Sequence, residues 1–101
     1  YQTAKDMFAD MEKAYQQCSD SVGADGIIPC GALMLDLADK GIQKVYRDTF
    51  HASLGIGRYA LALLWFRTLT GKAVTGNLFR DFDEDTTEEE IALVQKIVDN
   101  F

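Results

Sequence analysis

Residues 54–70 carry only two charges, Arg58 and Arg67, while Tyr59, Leu61, Leu63, Leu64, Trp65, Phe66 and Leu69 crowd the same stretch. A helix that is apolar on every side must be covered on every side, so this segment is expected to be the most buried helix of the fold. Ser53 stands before it as a candidate N-cap, and Thr70-Gly71 closes it.

Three further segments have helical spacing. Residues 3–22 set Ala4, Met7, Phe8, Met11, Ala14, Tyr15, Cys18 and Val22 on one stripe, ending at Gly23. Ala32 to Lys40 reads as a short helix with Leu33 and Leu37 inward and Gly41 as its stop. The last helix opens near Thr86 or Thr87, where Thr87 and Glu90 have capping-box spacing, and its stripe is Ile91, Val94, Ile97, Val98 and Phe101. Between them, Gly26-Ile27-Ile28-Pro29-Cys30 is a short apolar run between turn signals, which predicts a strand buried on both faces. Residues 72–86 form a loop with a turn at Thr75-Gly76-Asn77 and anchors at Phe79 and Phe82. One buried strand needs partners, and a helix already under way at Tyr1 points the same way. The chain is therefore read as a piece of a longer domain.

At 101 residues the chain makes one domain at most, and its formal charge of −6 disfavours nucleic acid and anionic membrane surfaces. The acidity is local: residues 81–90 hold seven acids and no base, at the N-terminus of a helix whose dipole favours them. No run of 18 uncharged apolar residues exists to span a bilayer. Cys18, Cys30 and the single histidine, His51, cannot assemble a Cys/His zinc site, and both cysteines read as buried free thiols.

Asp48-Thr49-Phe50-His51 is the phrase with chemistry in it. A histidine acts as a general base when a carboxylate holds one ring N–H and so fixes the tautomer that accepts at the other nitrogen. The plainer reading of the same spacing is a loop histidine bonded to a nearby side chain.

Asp48-x-x-His51, with Ala52-Ser53, Gly57-Arg58-Tyr59-Ala60, Leu64-Trp65-Phe66 and Leu69-Thr70-Gly71, resembles the C-terminal part of SGNH (GDSL-like) hydrolases, closest to an uncharacterised bacterial branch. The resemblance spans roughly residues 3–101. It implies an α/β fold, the flavodoxin-like three-layer α/β/α arrangement, with this chain (residues 1–101) a mostly helical C-terminal portion. It also implies ester hydrolysis, often of acyl groups on carbohydrates, with His51 as base and Asp48 as its orienting carboxylate. No cofactor or metal is implied, and such relatives are commonly secreted. The chain departs from the pattern in having no G-D-S block; Ser19 and Ser21 end a helix, and Asn77 follows His51, the wrong order for an oxyanion Asn. The 101 residues alone are therefore expected to be inactive. The alternative is a self-standing, mainly helical interaction domain.

Other motifs fit less well. Gly55-x-Gly57-x-x-Ala60 matches a dinucleotide fingerprint but lacks a strand before it, so its glycines are read as close-packing positions. Asp81-x-Asp83-x-Asp85 opens like a calcium loop, yet Thr86 and Ala92 stand where Gly and Glu are required. Cys30, where strand should meet helix, occupies a nucleophile-elbow position, but a small apolar role suits it better.

Overall fold

The computed structural model describes residues 3–49 and 51–101. Tyr1, where a helix was expected already under way, and Phe50, inside the Asp48–His51 phrase, lie outside the described residues. Four helices follow in order: α1 (Ala4–Val22), α2 (Cys30–Asp39), α3 (Ile56–Thr70) and α4 (Glu88–Asp99).

Local chemistry sets their ends. The Thr3 hydroxyl accepts the Asp6 N–H at 3.1 Å to open α1. Gly23 and Gly71 close α1 and α3 at φ 66° and 71°, in the left-handed region where a β-carbon is costly. Thr87 and Glu90 form the reciprocal capping box at the start of α4.

The expected α/β, flavodoxin-like architecture is corrected. The described residues form an all-helical fold without strand or sheet. Their one pairing of β type is an isolated antiparallel bridge between Tyr46 and Ala52. The run at residues 26–30 is instead the lead-in to α2, with Ile27 exposed and Ile28 packed at the core edge. Pro29, at φ −81°, sits at the N-cap, where a fixed φ and a missing N–H suit a helix start. A four-residue apolar run reads equally as strand or as the approach to a buried helix, and the helix won.

Packing centres on α3, which lies against α4 and α2, while α2 also touches α4. Leu33 and Leu37 of α2, Ala60 and Leu64 of α3, and Val94 and Val98 of α4 are completely covered. Each fully buried aliphatic side chain contributes roughly 1.5–3 kcal/mol relative to exposure, which makes this three-helix contact the main stabilising feature. Ile42, Val45 and Val74 close its edges from the connecting segments.

Two expectations about burial are also corrected. α3 is covered on one face only: Trp65 is 53% exposed, Phe66 47% and Leu69 71%. Two neighbouring helices reach only one side of it. α1 contributes no buried residue and rests on α2 alone among the helices, leaving Met7, Met11, Tyr15 and Val22 exposed. Its closest seat is at Gly31, where an added β-carbon would meet the Phe8 ring at 2.7 Å.

Candidate functional site

The segment between α2 and α3 folds back on itself like a short hairpin. Val45 and Ser53, both 2% exposed, form its base, where the Ser53 N–H donates to the Val45 carbonyl at 2.8 Å. Above them the Arg47 N–H donates to the His51 carbonyl at 3.0 Å. Asp48 and His51 occupy the outer end. One Asp48 oxygen, Oδ1, accepts the His51 backbone N–H at 2.7 Å, and the other, Oδ2, lies 2.7 Å from His51 Nδ1.

A carboxylate only accepts, so this contact puts a proton on Nδ1 and, in the neutral ring, the lone pair on Nε2. The backbone bond fixes the carboxylate before it meets the ring. Both side chains are about half exposed, at 46% for Asp48 and 48% for His51. Water screens a pair this open, so its effect is to orient the imidazole more than to stabilise the fold. The two residues singled out in the sequence are therefore brought together with the geometry a base and its orienter require.

The start of α3 holds the loop in place. Gly55, not Ser53, is the N-cap residue, but the buried Ser53 hydroxyl accepts the Gly57 N–H at 2.8 Å and so still satisfies a helix-end donor. Gly57 packs closely, as expected of it: a β-carbon there would lie 2.2 Å from the Val45 carbonyl oxygen. The Leu54 and Gly55 N–H groups both donate to Glu84 Oε1. Glu84 was expected to complement the dipole of α4; it serves the N-terminus of α3 instead. Nothing in the spacing of the sequence signals a bond that crosses thirty positions.

Beside this helix start lies a cavity of about 590 Å³ between α3 and residues 73–83. Its outer wall is clipped down at several points. Tyr59 donates its hydroxyl to Asn77 Oδ1 at 3.1 Å, and Gln95 Nε2 donates to the same hydroxyl at 3.0 Å and to the Asn77 carbonyl at 3.1 Å. The Gly76 N–H donates to Gln95 Oε1 at 3.0 Å. Asp99 Oδ1 accepts the Val74 N–H at 2.7 Å, and its Oδ2 accepts the Thr75 N–H at 3.0 Å and the Thr75 hydroxyl. Burial works to raise the Asp99 pKa, but the Thr75 hydroxyl, the two backbone N–H groups and the Arg67 charge outweigh it, and the carboxyl sits below its ordinary value. Further along, Phe82 meets Tyr59 edge-on at 5.1 Å and Phe79 edge-on at 5.5 Å between ring centres. Of the two phenylalanines expected as anchors, Phe82 packs against the core while Phe79 stays 52% exposed, and Gln95 and Asp99 carry no sequence signal because their partners lie far away along the chain.

The remaining candidates separate. Both cysteines are free, but Cys18 is exposed and Cys30 half-buried at the core edge, which corrects their expected burial. Asp83 lies 3.3 Å from Arg58 Nη1 across the cavity mouth. Among the described residues no group of three or more His, Cys, Asp or Glu side chains is arranged to hold a metal, and no helix is long and apolar enough to cross a membrane.

Fold and site together define a small all-helical domain that holds a histidine to a carboxylate in the loop before α3 and carries a separate groove between α3 and residues 73–83. A family model described as a domain of unknown function, DUF4886, matches residues 1–97, and the chain belongs to that family. No curated protein and no solved structure matches it.

Proposed function

We propose that Asp48 and His51 are the orienting carboxylate and general base of an ester hydrolase, with the nucleophilic hydroxyl supplied by polypeptide outside these 101 residues. The observation that carries this reading is the double hold of Asp48 on His51, at 2.7 Å to the backbone N–H and 2.7 Å to Nδ1. Within the chain, the hydroxyl nearest in sequence after His51, that of Ser53, is buried and occupied at the start of α3.

In the proposed reaction His51 Nε2 takes the hydroxyl proton as that oxygen attacks the ester carbonyl carbon. The tetrahedral intermediate collapses, and the alcohol leaves with the proton returned by His51. Water, deprotonated by the same nitrogen, then attacks the acyl-enzyme, and the acid departs as His51 returns that proton to the serine oxygen. Asp48 holds the imidazolium that forms at each stage. The substrates in view are acyl esters, including those on carbohydrates.

General-base catalysis contributes about 10²–10⁴ in rate. In the polypeptide that supplies the serine, His51→Ala is expected to abolish hydrolysis of p-nitrophenyl acetate while the helical circular dichroism stays unchanged. Turnover near wild type in that variant ends the proposal.

A second reading, a helical interaction module, draws support from the exposed Trp65, Phe66 and Leu69 on α3 and the uncovered stripe of α1. In that reading Asp48 merely stiffens a loop. The His51→Ala experiment separates the two, because an interaction module has no turnover to lose.

A further inference from the structure

We infer that the groove between α3 and residues 73–83 binds the uncharged apolar portion, acyl or aryl, of a small ester. The ligand's identity as an ester rests on the hydrolase reading above, whereas the binding site itself does not. Three observations lead there.

The first is size and shape. At about 590 Å³ the cavity falls within the roughly 300–1,000 Å³ typical of small-molecule sites. Leu54, Tyr59, Leu63, Phe66, Phe79 and Phe82 give it an apolar lining, and Tyr59, Phe79 and Phe82 pack against one another there as an aromatic cluster. Its wall is preformed, because Gln95, Asp99 and Tyr59 already hold residues 74–77 in place. Little ordering is left for a ligand to impose.

The second is position. Leu54, on the lining, follows His51 by three residues, and three extended residues span at most about 11 Å. The backbone of the Asp48–His51 loop therefore comes no farther than this from the Leu54 end of the groove.

The third is charge. The charged side chains on the lining are Arg58, Asp81 and Asp83, and Arg58 is paired with Asp83 at 3.3 Å. The remaining balance is one negative charge, which favours a neutral ester over its carboxylate product. The groove would thus admit substrate and release acid.

The test is an amide-resolved NMR titration of the full chain with two molecules of similar shape, neutral 4-phenyl-2-butanone and anionic 3-phenylpropionate. Saturable shifts at Gly55, Gly76 and Asn77 with the ketone, at least threefold tighter than with the carboxylate, are expected. Ala62→Trp, which places a large ring on the groove lining, should weaken ketone binding at least tenfold with the helical signal intact. His51→Ala should leave it unchanged, so loss of the base role and loss of the binding site are read separately. Shifts absent from these amides, shifts centred on Trp65 and Leu69 instead, equal or tighter carboxylate binding, or an Ala62→Trp variant that binds as wild type would each overturn the inference.

Discussion

Gly57 and Val45 approach so closely that a β-carbon on residue 57 would sit 2.2 Å from the Val45 carbonyl oxygen. The obstacle is backbone, itself bonded to Ser53, and cannot swing aside as a side-chain end could. This contact ties the base of the Asp48–His51 loop to the first turn of α3.

Gly57→Ala is accordingly expected to destabilise the fold by about 1–3 kcal/mol, the usual cost of forcing extra volume into a packed site. For a domain of this size that lowers the melting midpoint by about 4–8 °C per kcal/mol. Gly26→Ala, with nothing within 4 Å of the added carbon, is the control and should melt close to wild type. Equal midpoints for the two variants would show that the loop and helix start can separate freely.

Asp48→Asn keeps the side-chain shape but replaces one accepting oxygen with a donor. In the serine-bearing polypeptide, ester hydrolysis should fall by about 10²–10⁴. Stability should change by less than about 1 kcal/mol, because the pair is half exposed. A structural role predicts the opposite ratio, with a shifted midpoint and little change in rate. Measuring both on one preparation decides between them.

Asp99 predicts a pH dependence of stability. Its folded pKa is held below the ordinary 3.8, so the unfolded chain binds the proton more readily. The stability it contributes is complete above that unfolded value and disappears as pH falls through the lower, folded one. Urea midpoints should therefore drop on acidification below about pH 4. Asp99→Asn should be less stable than wild type at pH 7, with the gap closing toward pH 2. A gap of constant size across that range would mean that the carboxylate charge is not what holds Val74 and Thr75.

The helices were legible because their signals are local. Gly23, Gly71 and the Thr87–Glu90 pair act within a turn of themselves, and all three end or open a helix as expected, whereas the Thr3 cap of α1 was not among the expected signals. The stripe of Ile91, Val94, Ile97 and Val98 is buried as its spacing required, although Phe101 stays 40% exposed. The Asp48–His51 contact was also legible, since three residues of loop suffice to bring the two side chains together. The strand at 26–30 failed for the complementary reason: a strand exists only through a neighbour, and its apolar run carries no record of whether one is there. The burial of Trp65 and Phe66 failed likewise, because side-chain type states a need for cover and not what supplies it.

By itself, then, the order of residues placed four helices, with the starts of α2 and α3 each two residues off, and showed which histidine meets which carboxylate. Only the tertiary structure decided that Glu84 closes the N-terminus of α3, that Gln95 and Asp99 hold the groove wall, and that one face of α3 stays open. The division follows range: caps, turns and stripes are settled by neighbours a few positions apart, whereas these bonds join groups nineteen to thirty positions apart that meet only after the helices have packed.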